Sequence, residues 1–261
     1  YFGAPVTEAT VRVKVLRYAH AARWYPPMPW DWFYGVGYSW FAPDYDWYPG
    51  WRLWGCPRPG PWWFPHRSPP PEVVMESEMA IGSDGTIAFD IDTLPAKEVH
   101  GDLDHRYDIT AEVRDRSRRT IVGTGKVLVA RKPFAVRVWV DRGYYRTGDR
   151  VQAQLRAFAL DQKPVRATGT LKLLRITYTP ARVPIETELE SWPLTMDDEG
   201  LGQVLLTPNE PGQYRLSAQL TDTTGHMIEG GYVFVVRGLG LVDENVRFNE
   251  LELLADKAEY T

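Results

Sequence analysis

One stretch of this sequence occurs twice without a gap. Tyr107-Asp-Ile-Thr-Ala-Glu-Val-Arg-Asp115 lines up with Tyr214-Arg-Leu-Ser-Ala-Gln-Leu-Thr-Asp222, and the register carries on so that Ile121 meets Ile228, Gly123 meets Gly230 and Val129 meets Val236. A repeat restricts a fold more than any single motif, because both copies must satisfy one supersecondary unit. Both copies alternate apolar and polar residues, the period of a half-buried strand. Upstream, Asp84-Gly85 pairs with Glu199-Gly200. Further upstream, Val11 to Arg17 resembles Leu171 to Arg175 with one residue of slippage.

A second stretch, Asp141 to Val151 (DRGYYRTGDRV), joins two alternating runs, Phe134–Val140 and Val151–Phe158. Its Thr147-Gly148-Asp149 suits a turn, Gly for positive φ and Asp for local backbone hydrogen bonds. It therefore opens a β-domain. Seven strands are expected in the second unit, near 134–140, 150–158, 169–176, 184–192, 201–206, 213–221 and 228–237. Turn signals separate them, and seven short strands in about 105 residues point to a two-sheet sandwich. Tyr107 and Tyr214 each start the strand before last, where such sandwiches place a tyrosine corner.

The expected organisation is all-β. Residues 1–131 form a sandwich whose first two strands are expected upstream of Tyr1, with an insert at about 18–70. Residues 132–238 form a complete sandwich. Residues 239–261 are a linker and the first strand of a following domain, because Asp256 and Tyr260 repeat the spacing of Asp141 and Tyr145. A helical stripe of Leu251, Leu254, Ala255 and Ala258 stays open for that last piece, with strand preferred on the repeat. The opening YFGAPVTEAT has no charged n-region and no apolar h-region, so it reads as part of a longer chain and not as a signal peptide.

The insert has no counterpart in the second unit. It holds nine of the eleven tryptophans, Trp24, Trp30, Trp32, Trp40, Trp47, Trp51, Trp54, Trp62 and Trp63, with prolines throughout. Disordered segments are poor in aromatics, so these rings should be buried somewhere. Three destinations are open: its own or a neighbouring domain, another protein's surface, since Trp and Tyr dominate interface anchors, or a sugar. Ring faces stack on sugars, and Asp31, Asp44 and Asp46 would take hydroxyl hydrogen bonds.

The chemistry-bearing residues are few. His100, Asp102, Asp104 and His105 are metal-capable donors, but their spacing fits neither an EF-hand nor a zinc motif, so a solvated turn is expected. Asp197-Asp198-Glu199-Gly200 lacks the spaced acidic ligands of a calcium loop and reads as a turn. Arg114, Arg116, Arg118 and Arg119 form a basic hairpin tip. A single cysteine, Cys56, excludes an intrachain disulfide and a Cys-rich metal site. A net charge of −4 argues against a dedicated nucleic-acid binder. Apolar runs such as Tyr232–Val236 are too short to cross a bilayer. No catalytic site, cofactor or metal is expected.

The opening Tyr1-Phe-Gly-Ala-Pro-Val6, the pattern Tyr107-x-Ile-x-Ala-x-Val-x-Asp115 and the opener Asp141-x-x-x-Tyr145-x-x-Gly148-Asp149-x-Val151 together resemble the macroglobulin domains of alpha-2-macroglobulins. The aromatic and proline insert is most similar to bacterial members. The resemblance covers the chain outside the insert. It implies tandem seven-stranded, fibronectin-III-like sandwiches within a much larger protease trap of the periplasm or extracellular space. Partners would be neighbouring domains and, through the whole protein, target proteases. The family's thioester motif is Cys-Gly-Glu-Gln. Cys56 is followed by Pro57-Arg58 and does not match, so no thioester role passes to it.

Overall fold

The structure is a computed structural model, and it describes residues 6–20, 24–27, 31–34, 45, 47–54, 69–115, 117–241 and 246–247. It is mostly β. The chain divides into two compact units, Tyr1–Ala22 with Trp63–Lys132, and Arg23–Trp62 with Pro133–Thr261.

The first unit is one antiparallel sheet. Its strands are β1 (Ala9–His20), β2 (Glu72–Ala80), β3 (Asp104–Asp115) and β4 (Thr120–Val129), in the order β2-β1-β3-β4. Alternation decides the faces. Val11, Val13 and Val15 are buried, while Arg12 and Lys14 point outward and pair with Glu76. A segment without strand pairing lays Ile81, Ile87, Phe89 and Ile91 over the valines. A short helix, Leu94–His100, begins with a proline in its first turn, where the missing N–H is harmless. Where two sheets are expected, the described residues of this unit hold one, because Thr86–Ile91 has no strand beside it to pair with.

The second unit holds two sheets around one core. Strands β5 (Ala135–Trp139), β7 (Val151–Phe158) and β10 (Leu201–Leu206) form the smaller, in the order β10-β7-β5. The larger contains β6 (Tyr144–Arg146), β8 (Ala167–Tyr178), β9 (Pro184–Thr195), β11 (Gly212–Asp222) and β12 (Met227–Arg237), ordered β6-β12-β11-β8-β9. All seven expected strands are present. Tyr214, Leu216, Ala218 and Leu220 face inward from β11 and meet Val136, Val138, Val151 and Leu155 of the smaller sheet. Each such large side chain contributes roughly 1.5–3 kcal/mol by burial.

An all-antiparallel arrangement needs one correction: β6 runs parallel to β12, pairing Tyr144 with Val235 and Arg146 with Arg237. The DRGYYRTGDRV stretch is thus more than a turn. The buried Tyr145 hydroxyl donates to the Asp141 carboxylate, the Arg142 guanidinium sits 4.6 Å over the Tyr145 ring, and Phe234 meets it edge-on. Asp149 then accepts the Arg146 N–H at 2.9 Å and closes the turn. The Asp-x-x-x-Tyr spacing is therefore a side-chain contact that pins a short strand to the sheet edge.

The repeat is preserved as geometry. In β3–β4, Tyr107 faces Val127, Ala111 faces Gly123 and Val113 faces Ile121. In β11–β12, Tyr214 faces Phe234, Ala218 faces Gly230 and Leu220 faces Ile228. The hairpin tips match as well, with Asp115 Oδ1 accepting the Arg119 N–H and Asp222 Oδ1 accepting the His226 N–H. Next door, Arg17 pairs with Tyr107 as Arg175 pairs with Tyr214, and both neighbouring ladders shift register at the same place, Val15/Leu16 and Leu173/Leu174.

Candidate functional site

The expected insert at about 18–70 is shorter at its start, since β1 runs on to His20, and its described residues from Trp24 to Trp54 belong with the second unit, where Trp24, Tyr48, Trp51 and Trp54 pack against its sheets. Alternation makes Trp139 and Phe158 point away from the core of the smaller sheet. Trp24 covers them, its ring 5.1 Å from Trp139 and 6.2 Å from Phe158. On the other side, a turn at Tyr45–Gly50 leads into a helical turn, Trp51–Trp54, held by N–H groups of Leu53 and Trp54 donating to the Gly50 carbonyl. Trp51 meets Tyr232 at 5.9 Å, and Trp51 and Trp54 pack edge to face at 5.3 Å.

The seat of Trp54 is a glycine. A Cβ on Gly231 would stand 3.1 Å from the Trp54 indole and 2.9 Å from the Leu216 carbonyl oxygen, so only hydrogen lets the ring lie on the strand. Beside it, Arg215 points outward from the central strand yet is buried. It makes a bidentate pair with Glu186 (2.6 and 2.8 Å), donates to Glu229 at 2.7 Å, and lies 5.3 Å from the Trp54 ring centroid. Ser217 donates to Glu229, and the Tyr48 hydroxyl donates to Glu186 at 2.6 Å. Burial alone would raise the Glu186 pKa, but the hydrogen bonds from Arg215 and Tyr48 outweigh it and hold the carboxyl below its ordinary value. Burial, then the Glu186 hydrogen bond, pushes the Tyr48 phenol far up, so it stays a donor. Trp47 sits under Arg247 at 3.9 Å and near Tyr178.

Of the nine tryptophans, Trp24, Trp51 and Trp54 are buried, Trp47 is partly buried and Trp32 is exposed. Trp30, Trp40, Trp62 and Trp63 lie outside the described residues, as do Cys56, Arg116 and the 251–261 segment. The partners Arg215, Glu186, Glu229 and Gly231 do not stand out from sequence. The signal the sequence offers is that Arg215 is the one charged residue between Gly212 and Thr221, a stretch whose other polar residues are uncharged.

His100 and His105 do meet, with rings 5.1 Å apart, and Glu72 bonds His100 at 3.1 Å. Asp104 instead accepts the Arg131 N–H at 2.8 Å. No group of three or more metal-capable side chains gathers among the described residues. Asp197 accepts the N–H groups of Glu199 and Leu201, an Asx-type turn. Arg118 adopts a positive φ of 62° at the hairpin tip. An open cleft of about 910 Å³ lies on the outer face of the smaller sheet, bordered by Trp24, Tyr25, Trp139, Gln154, Arg156 and Gln203.

No family model and no curated protein matches the sequence. Among solved structures, E. coli alpha-2-macroglobulin in its native conformation aligns over 100% of this chain and 16% of its own length, at 12% identity and a TM-score of 0.35. Salmonella alpha-2-macroglobulin reacted with methylamine aligns over 90% of this chain and 15% of its own, at 10% identity and TM-score 0.33. A tetra-tandem repeat from the extending region of a large adhesion protein aligns over 89% and 42%, at 10% identity and TM-score 0.27. The chain thus spans about one sixth of the macroglobulins it is similar to. The similarity to bacterial alpha-2-macroglobulin domains is distant.

Proposed function

We propose that this chain is a non-catalytic scaffold segment of a bacterial alpha-2-macroglobulin-like endopeptidase inhibitor, built from tandem fibronectin-III-like macroglobulin domains. The supporting observation is the opener Asp141-x-x-x-Tyr145, whose two ends bond each other, standing between two copies of one sheet with matching register. Its residues are spent on packing and docking, and it would space and connect neighbouring domains of a periplasmic or extracellular protein. Target proteases would be engaged by the whole protein. The test incubates the full-length parent with several endopeptidases. Cleavage at one exposed segment, followed by protection of large protein substrates, is expected. A parent that neither is cleaved at one site nor protects large substrates overturns the reading.

The cleft beside Trp24 supports a second reading, a carbohydrate-binding or adhesive array, because amide and guanidinium groups border aromatic rings there. A glycan array probed with the chain and with Trp24→Ala separates the two. Binding lost in the variant supports the sugar reading, and a flat response in both removes it.

A further inference from the structure

The inner face of the first sheet changes character along its length. Alternation places Val11, Val13, Val15 and then Arg17 on one face of β1, opposite Val113, Ala111, Ile109 and Tyr107 of β3, with His105 next on that face. The Leu94–His100 helix brings His100, whose ring lies 5.1 Å from that of His105. Arg131 follows β4. Its backbone N–H donates to Asp104 and its guanidinium donates to the Thr93 carbonyl, both at 2.8 Å. His105 and Tyr107 are each only 2% exposed. The charges of Arg17, His100 and Arg131 all reach the His105 ring.

Three nitrogens of this cluster are buried without a hydrogen-bond partner among the described residues: Arg17 Nε, His105 Nδ1 and Arg131 Nε. The Tyr107 hydroxyl lies beside the Arg17 guanidinium. A buried donor left unpaired costs more than a hydrogen bond returns, so such groups call for an acceptor. The carboxylates present are otherwise engaged. Glu72, half exposed at the rim, accepts from Arg17 Nη2 and bonds His100 at 3.1 Å, which leaves Arg17 Nε free. Asp104 is held by the Arg131 backbone, and the Arg131 guanidinium has no carboxylate partner among the described residues.

The second unit shows that the repeat does not require these groups. Gly212 and Gly238 stand where His105 and Arg131 stand. Arg175, the counterpart of Arg17, is closed off by the Glu210 carboxylate and the Pro211 carbonyl. A costly polar cluster in one copy of a repeat, replaced by glycines in the other, is the kind of local departure that marks a site.

We propose that Arg17, His105, Tyr107 and Arg131 bind a small tetrahedral oxyanion of the inorganic phosphate or sulfate class. The guanidinium and imidazole N–H groups donate to its oxygens, and its charge offsets the two arginines where water is largely shut out. The inference uses residues of the first unit alone and does not depend on the inhibitor reading.

The experiment titrates inorganic phosphate, and separately sulfate, into the full chain carrying 13C at the histidine Cε1 positions, at pH 7 and at an ionic strength held constant with chloride. Both anions are expected to shift the His105 resonance saturably while His20 and His226 stay in place. His105→Phe assigns the signal. Arg131→Gln should weaken the response about tenfold or more, the loss of one hydrogen-bonded charge. Arg166→Gln, an exposed arginine of the second unit, should leave it unchanged. The absence of a saturable shift, a shift shared by all the histidines, or one that chloride reproduces overturns the proposal, and the wild-type titration alone decides this even where a variant fails to fold. Undiminished affinity in a folded Arg131→Gln also overturns it.

Discussion

In the second unit β12 is buried along Gly230–Val236, whereas in the first unit β4, which aligns with it residue for residue, is exposed along nearly its whole length. Both pair with their hairpin partner in the same register. Pairing is thus set locally, by the alternation and the Asp-closed turn, while burial is set by what lies on the strand. The outward positions of β12 are Gly231, Val233 and Val235, because the aromatic insert covers that side. Their counterparts on β4 are Thr124, Lys126 and Leu128. The composition of the outer face follows its cover. The inner face stays apolar in both units.

The largest effect is expected where that contrast is steepest. Gly230→Val drives a side chain into the Val136 backbone and should destabilise the second unit by about 2–3 kcal/mol, as overpacking does. Gly123→Val enters open space on a strand that favours branched residues and should change stability by less than about 0.5 kcal/mol. Urea unfolding of the two variants checks this, and equal losses would mean that the two strands are not in different settings.

Arg215 gives the next contrast. Arg215→Met leaves Glu186 and Glu229 without their shared cation beneath Trp54. Breaking a buried pair from one side costs several kcal/mol, and the partial exposure of both carboxylates reduces this to about 2 kcal/mol. The equivalent residue of the first unit, Asp108, has only a half-exposed local pair with Arg106, so Asp108→Asn should cost less than about 0.5 kcal/mol. Tryptophan fluorescence should also shift to the red in Arg215→Met if Trp54 loses its seat.

How much of this was readable from the chain depends on range. The repeat from Tyr107 and Tyr214 fixes both hairpins, since a gapless match forces one register. The strands between 134 and 237 follow from alternation and turn residues. The three-residue β6 is too short for any period, and its parallel pairing with β12 is a long-range event. The aromatic insert shows that rings must be buried, but the seat of Trp54 depends on Arg215 and Gly231, more than 150 residues away in sequence. Likewise His100 and His105 come together, while Asp102 and Asp104, adjacent in sequence, turn to solvent and to Arg131.

A smaller effect tests the tyrosine corner. Tyr214 donates its hydroxyl to the Glu210 carbonyl at 2.7 Å, four residues upstream. Tyr107, at the same position of the first unit, is as buried, but its hydroxyl lies beside the Arg17 guanidinium and, among the described residues, bonds no backbone carbonyl. Tyr214→Phe should therefore cost about 1 kcal/mol, the net worth of a buried hydrogen bond, and Tyr107→Phe should cost less. Thermal unfolding decides it, and a loss in Tyr107→Phe equal to that in Tyr214→Phe would restore the corner to both units.

The smallest effect is a difference in acid response. Burial first, then the charges of Arg17, His100 and Arg131, holds the His105 pKa below its ordinary 6.5, against a weaker opposing pull from Glu72. The unfolded chain therefore binds a proton that the folded first unit resists. Stability from this group is complete above pH 6.5 and declines as the pH falls below it. The second unit has Gly212 at the matching position and its depressed groups are carboxylates, Asp161, Glu186 and Asp222, the last at about 2. A depressed carboxyl loses its contribution only as the pH falls below the ordinary carboxylate value near 4 and through the folded pKa. Between pH 7 and pH 5, amide protection, taken relative to the intrinsic exchange rate at each pH, should fall in β1–β4 and stay level in β7–β12. His105→Phe should flatten the first unit's response, because a ring of similar size that cannot take a proton removes the linkage without removing the packing.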